Sequence, residues 1–264
     1  MSENEARALE TTVTVSTIEK RNAARALPLG QAAAVVLVCC TALAGFALRV
    51  QNLAGQSLWF DEALSVVFAG KDPSELLALL VTEDIHPPLY PLMLHVWLAV
   101  AGTGEFSARF LSLLPGVAIV PLFYVTGKRL ALLAGDERSG AFSPHGFVGA
   151  LLASSSAFYV GYSQEARNYM LVTFLGLLAS YLLLRAWSSP DRRPWVLYAL
   201  ASCAAVYANY TAFLLLAFHL AFVLMARQKH EAARRRWLIA TLSTLVAYLP
   251  WLGYAFDQAT RIND

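Results

Sequence analysis

The chain has 264 residues, 58% of them apolar and 14% charged, with a formal net charge of +2. A soluble domain runs nearer half apolar and a quarter charged, so this balance excludes an ordinary soluble fold. The basic residues flank apolar runs rather than forming a patch, which gives no reason to expect a nucleic-acid partner.

In chain order, residues 1–28 are polar and aperiodic and read as a disordered cytoplasmic tail. A signal peptide ending at Ala42-Leu43-Ala44 is the rival reading, which the long polar lead-in and the later spans disfavour. Uncharged runs of about 20 residues, the length that crosses a bilayer core of about 30 Å, then recur through 29–264. The expected spans are 29–49, 109–129, 145–162, 169–187, 195–208, 211–226 and 237–255, an all-α membrane module of about seven transmembrane helices. Cys39, Cys40 and Cys203 all lie inside apolar runs and read as small buried hydrophobes.

Residues 51–108 form the first outer loop, with an acidic centre. Phe60, Leu64, Val67 and Phe68 make one helical stripe, which Gly70 can end. Asp72-Pro73-Ser74-Glu75 reads as a second helix start, with Asp72 as N-cap and Glu75 at N3, followed by apolar Leu76, Leu77 and Leu80. Both helices are expected on the membrane surface. The apolar stretch 87–101 would be only about 22 Å long as a helix, short of a crossing, and opens with Pro87, Pro88 and Pro91.

Charge decides whether 87–101 crosses. With the N-terminus inside and 87–101 not crossing, fifteen of the 20 Lys and Arg residues fall inside; only Arg49, Lys71, Arg109, Arg167 and Arg261 fall outside. If 87–101 crossed, every later loop would change sides and eleven of the fifteen would move out. The positive-inside rule therefore favours seven crossings, with 87–101 re-entrant or interfacial on the outer side. Arg193 and Arg227 must then both lie inside, so 195–226 has to turn, and Asn209-Tyr210 is the polar point where it can.

Candidate functional residues collect on the outer face. Asp61-Glu62 follows Trp59-Phe60, and partial desolvation beside aromatics raises carboxylate basicity, as a general base needs; the alternative is a solvated helix start, where acids favour the dipole. Tyr162-Ser163-Gln164-Glu165-Ala166-Arg167 lies between two spans, where Glu165 and Arg167 either serve a site or pair with each other. His86, aimed by Pro87 and Pro88, is a structural or a substrate-binding residue. Arg109 starts a span at the outer interface, where snorkelling to headgroups is the alternative.

Leu58-Trp59-Phe60-Asp61-Glu62-Ala63, His86-Pro87-Pro88-Leu89-Tyr90, Arg109-Phe110 and Tyr162-Ser163-Gln164-Glu165-Ala166-Arg167, in that order, resemble the signatures of the C-type membrane glycosyltransferases. The nearest branch is the protein O-mannosyltransferase and aminoarabinose-transferase-like superfamily. The resemblance implies transfer of a sugar from a polyprenyl-phosphate sugar to a glycan, lipid or protein acceptor, at the outer face of the plasma (inner) membrane. It implies Asp61, Glu62 and Glu165 as catalytic residues. His86, Arg109, Arg167 and Tyr162 would bind substrate, and Asp61, Glu165 and Arg167 would meet around one outer-facing cavity. No cofactor is required; a divalent cation, held by Asp61 and Glu165, is an open option. Relatives of this kind continue well past the seventh span. A partner chain supplying that part, an inactive scaffold, and a lipid-linked-sugar flippase therefore stay open as alternatives.

Overall fold

The computed structural model describes residues 29–226 and 231–261, and it is all-helical, with no strand among the described residues. The expected tail 1–28 lies outside them. The helices are α1 (Leu29–Val50), α2 (Phe60–Ala69), α3 (Pro73–Thr82), α4 (Leu89–Ala101), α5 (Glu105–Leu133), α6 (Pro144–Ser155), α7 (Ala157–Ser163), α8 (Tyr169–Trp187), α9 (Arg193–Ala208), α10 (Ala212–Met225) and α11 (Glu231–Arg261). Four of them, α1, α5, α8 and α11, are long and apolar enough to cross a membrane. The chain is therefore an all-α, multi-pass membrane protein.

The other three expected spans are also helical, but broken or short. Segment 145–162 is α6 and α7 in series, interrupted where Ser156 turns to φ −61°, ψ 123°. Segment 195–226 divides into α9 and α10 at Asn209, whose backbone is extended at φ −162°, ψ 142°.

The break at Ser156 leaves carbonyls at the C-terminus of α6 without helical partners, and Arg49 takes them. Its Nη2 donates to the Ala153 carbonyl at 2.8 Å and its Nη1 to the Ser154 carbonyl at 2.9 Å. Its Nε donates to Ser163 Oγ at 3.1 Å. Arg49 is wholly buried, so the partial negative charge of a helix end, not a carboxylate, balances its cation. Arg49 thereby pins the last turn of α1 to both halves of the broken helix.

Helices α5 and α6 cross at glycines. A Cβ built on Gly127 would stand 2.7 Å from Gly146 Cα, and one built on Gly146 would run into the Tyr124 carbonyl oxygen. Small residues at such a crossing let backbones close and dispersion act, which matters in lipid, where helices gain no hydrophobic drive from meeting. A second core joins α8, α9 and α11 through Ala179, Leu183, Trp195, Tyr198 and Trp237.

The outer-loop helices differ from expectation in one respect. The Phe60, Leu64 and Val67 side of α2 is exposed, as suits a helix facing the membrane surface. Leu76 and Leu80 of α3 are instead fully buried, packed against Ala205, Leu216, Tyr248 and Trp251. The Leu80 carbonyl accepts a 2.8 Å bond from Gln258 Nε2. Helix α3 is thus a plug between α9, α10 and α11 rather than a surface float. Its expected cap also differs: the Asp72 side chain caps nothing, and Glu75 reaches back to Lys71 Nζ at 2.8 Å. Cys39 and Cys40 sit on the exposed side of α1, not buried in the bundle.

Helix α4 lies along the first two turns of α5. Tyr90 OH meets Ser112 Oγ at 2.9 Å, Trp97 Nε1 donates to the Ser107 carbonyl at 2.8 Å, and the Trp97 and Phe110 rings stack. Helix α4 therefore runs back along only one end of α5 and does not follow it through its 29 residues. Gly102, at φ 84°, makes the turn between them, in a region that strains residues with a Cβ.

Replacing Gly146 with valine should force α5 and α6 apart and cost about 1–3 kcal/mol, the usual range for overpacking. A thermal melt in detergent should show a lower midpoint for Gly146→Val than for Gly161→Val, since Gly161 has open space where its Cβ would be.

Candidate active site

The site is organised by an ion pair at the start of α2. Glu62 lies in the first turn of that helix and its side chain is wholly buried. Arg109, in the second turn of α5, meets it with two parallel bonds: Nε to Oε1 at 2.9 Å and Nη2 to Oε2 at 2.7 Å. Arg109 also donates to the carbonyls of Leu53 (2.9 Å), Gln56 (2.8 Å) and Ser57 (3.2 Å). A guanidinium has five N–H donors, and these bonds use all of them.

Glu62 is equally committed. It accepts from the Ala166 backbone N–H at 2.7 Å and from the Trp59 N–H at 3.2 Å. Burial alone pushes its carboxyl up, but the bonds from Arg109, Ala166 and Trp59 outweigh that and hold it below the usual glutamate range. One carboxylate therefore ties α2, α5 and the 164–168 turn together. Sequence analysis placed Glu62 and Arg109 among the groups meeting substrate; the structure turns both inward, onto each other and onto backbone.

Asp61, the neighbouring residue, points elsewhere. Consecutive helical residues are about 100° apart around the axis, so burying Glu62 leaves Asp61 on the outer side, with 39% of its side chain exposed. Arg167 comes to it from the 164–168 turn, with Nη2 3.8 Å from Asp61 Oδ2. Arg167 Nη1 donates to Ser65 Oγ at 3.1 Å and to the Asp61 carbonyl at 3.3 Å, and its guanidinium lies 5.9 Å from the Tyr169 ring centroid. Ser112 Oγ donates to the Arg167 carbonyl at 2.9 Å, which holds the turn.

His86 supports Arg167 from the other side. Arg167 Nη2 meets His86 Nε2 at 3.2 Å, and His86 Nδ1 meets Asp84 Oδ1 at 2.9 Å. Arginine has no acceptor, so Nε2 must accept and the proton sits on Nδ1, donated to Asp84. Asp84 Oδ1 also accepts from the backbone N–H groups of Ile85 and His86, at 2.7 and 3.0 Å. Asp84 thus fixes the ring that steadies Arg167.

Glu165 is half-buried, and no hydrogen bond or ion pair to its side chain is present among the described residues. Burial, and then the Glu62 charge, raise its carboxyl above the usual range, only partly offset by Arg167 and Arg109. Tyr162 packs edge-on to Phe158 and Tyr169, in an aromatic group beside the turn. A crevice of about 10 Å³, room for roughly one water, is lined by Ser65, Asp84, His86, Tyr90, Arg167 and Asn168. Two of the lining residues carry a buried polar atom without a partner among the described residues, Arg167 Nε and Asn168 Oδ1. Sugar-sized space would therefore have to lie over the exposed Asp61 side rather than in this crevice. No group of three or more His, Cys, Asp or Glu side chains among the described residues is placed to hold a metal ion.

Asp61, Arg167 and His86 thus converge from segments up to 106 residues apart. The family model for dolichyl-phosphate-mannose-protein mannosyltransferases matches residues 85–254. The chain belongs to this family. It is a membrane glycosyltransferase of the mannosyltransferase type. The match takes in His86, Arg109, Glu165 and Arg167 and begins after Asp61 and Glu62. Neither a curated protein nor a solved structure matches the chain.

Asp84, Ser65 and Asn168 were not among the residues expected at the site. Asp84 was legible in principle, since an acid two residues before a histidine that precedes prolines can bond both its ring and the local backbone. Ser65 and Asn168 carry no local signal; only the packing of α2 against the 164–168 turn selects them.

The Glu62–Arg109 pair yields two predictions. Glu62→Ala or Arg109→Ala should each cost about 3–5 kcal/mol, because each strands a buried charge, whereas Glu62→Leu with Arg109→Met should cost less than either. Detergent melts of the three variants compare them directly; a double variant less stable than both singles would show that the pair itself stabilises. The sign with pH is also fixed. The folded carboxyl titrates below its unfolded value, so its stabilisation is full above about pH 4.3 and is lost as the pH falls through the folded value. Wild type should therefore lose stability on acidification below about pH 4 more steeply than Glu62→Gln, which has no carboxylate to protonate there.

Proposed function

We propose that the chain transfers a sugar, mannose or a close relative, from a polyprenyl-phosphate sugar to an acceptor hydroxyl on the outer membrane face, by a single inverting displacement. The observation that carries this reading is the Asp61–Arg167 pairing, an exposed carboxylate 3.8 Å from a guanidinium. Exposed Trp59 and Phe60 flank it, as suits a donor that arrives from the bilayer.

In the reaction, the acceptor oxygen attacks the anomeric carbon while Asp61 takes the hydroxyl proton. The bond from that carbon to the phosphate oxygen breaks, and the polyprenyl phosphate leaves with the electron pair. The leaving group is already anionic, so it needs a cation more than an acid. Arg167 supplies it from beside Asp61, with His86 and Asp84 holding the guanidinium in place. Glu165, its carboxyl raised, orients the acceptor, and together with Asp61 it is where a divalent cation would bind if one takes part. Glu62 and Arg109 act through position alone. Tyr162 backs the turn that carries Arg167.

Asp61→Asn should keep the fold and lower turnover about 10² to 10⁴-fold, the usual size of a general-base effect. Arg167→Ala should weaken both donor binding and turnover, and Arg167→Lys should restore only part, because an ammonium cannot bind phosphate with a planar fork. The measurement is transfer of radiolabelled sugar from polyprenyl phosphate in membranes containing the full chain. Full activity in Asp61→Asn would remove Asp61 as the base; translocation of the lipid without transfer would point to a flippase.

The orientation follows the basic-residue distribution, N-terminus inside and seven crossings, and is supported by α4 lying along only the first turns of α5. In a background with Cys39, Cys40 and Cys203 replaced, Glu75→Cys should react with an impermeant thiol reagent in intact cells. Arg138→Cys and Ala232→Cys should stay protected until the cells are opened. Labelling of residue 138 from outside would overturn the topology.

A further inference from the structure

A second cavity, much roomier than the crevice beside Arg167, is lined by none of the residues around Asp61 and Arg167. It holds about 830 Å³ between α9 and α11. The two helices run parallel in register: Arg236 Nη1 donates to the Pro190 carbonyl, Thr244 Oγ1 to the Ala199 carbonyl, and Tyr207 OH to the Ala247 carbonyl. Arg192, Arg235 and Arg236 therefore stand together at the end where both helices begin. The groove continues from them along an apolar wall that includes Trp195, Leu200 and Ile239.

The state of those arginines is informative. Arg236 is anchored on Pro190, but Arg192 and Arg235 are exposed and make no hydrogen bond or ion pair among the described residues. The acids next to them in sequence, Asp191 and Glu231, form no ion pair with them among those residues either. The N-terminus of α9 adds its own partial positive charge at the same end. An apolar trough capped by unneutralised guanidinium groups has the amphiphile pattern of a lipid with an anionic head: phosphate at the arginines, acyl chain along the wall. The volume lies within the range of ordinary ligand pockets, enough for a headgroup and part of the chains. Basic pockets between membrane helices bind anionic headgroups on this physical basis.

We infer that the α9–α11 groove is a binding site for an anionic phospholipid of the surrounding bilayer, separate from the sugar-transfer site, with Arg192 and Arg235 as its phosphate contacts. In the topology proposed above, this end faces the inner leaflet, so the bound lipid would come from the leaflet opposite to the sugar-transfer site. The inference rests on the groove and its arginines alone and does not depend on the transfer reaction.

The test is native mass spectrometry of the full chain in neutral detergent, titrated with phosphatidylglycerol or phosphatidylcholine of identical acyl chains. Wild type should retain about one phosphatidylglycerol in clear preference to phosphatidylcholine. Arg192→Gln with Arg235→Gln should reduce that preference about 25-fold, the equivalent of about 1 kcal/mol for each arginine. Arg192→Lys with Arg235→Lys should keep most of it. Ser243→Trp, which fills the trough without changing charge, should lower retention of both lipids. Equal retention of the two lipids by wild type would overturn the inference, as would a preference that survives the glutamine variant. A second copy of the chain occupying the groove in place of lipid, seen as a dimer in both lipids, would also overturn it.

Discussion

A carboxylate and a guanidinium taken out of water together dictate the end of the bundle that carries the candidate site. Neither Glu62 nor Arg109 could be buried alone, since the desolvation of one ion costs several kcal/mol even after the protein relaxes. Buried together, they dictate much else. Arg109 needs five acceptors and finds three in the backbone between α1 and α2, which folds that connection around it. Glu62 needs donors beyond Arg109 and takes the Ala166 N–H, which draws the 164–168 turn onto α2. Helical geometry then presents Asp61 outward beside Arg167. The exposed Asp61–Arg167 pair is thus positioned by a pair that is itself buried and fully bonded.

The two arginines of the candidate site, Arg109 and Arg167, divide along the same line. Arg109 is saturated, and a saturated guanidinium is a structural bolt. Arg167 is held by Ser65, His86 and a carbonyl, but its buried Nε has no partner among the described residues. An orphaned buried donor costs about 1–3 kcal/mol, and that cost falls when an anion is present to accept from it. The same contrast reappears between Arg236, bound to Pro190, and its neighbours Arg192 and Arg235.

Much of the fold was legible because bilayer constraints are written in composition. Uncharged runs near 20 residues and the distribution of Lys and Arg yield helices at each expected segment, including the turn at Asn209. The separate behaviour of 87–101 was readable from its prolines and short length. What was hidden depended on three-dimensional pairing. Leu76 and Leu80 look like a surface stripe in sequence, yet they are core because the ends of α10 and α11 arrive over them. Asp61 and Glu62 are chemically alike and adjacent, so sequence alone could not tell which is buried; the partner across 47 residues decides it. Asp84 was visible only as one acid among several, and its role appears once His86 is seen between it and Arg167.

Arg49 has a bearing on how the chain is made. Its counter-charge is the end of a helix 105 residues further on, at the Ser154 carbonyl. At about 5–20 residues per second of synthesis, that end does not exist until about 5–20 s after Arg49 itself has been added. During that interval the Arg49 guanidinium has the Gly45 carbonyl of its own helix to bond but none of its three later partners. The seat of the first helix is completed only when the broken helix arrives, so the order of synthesis is built into the way the bundle closes.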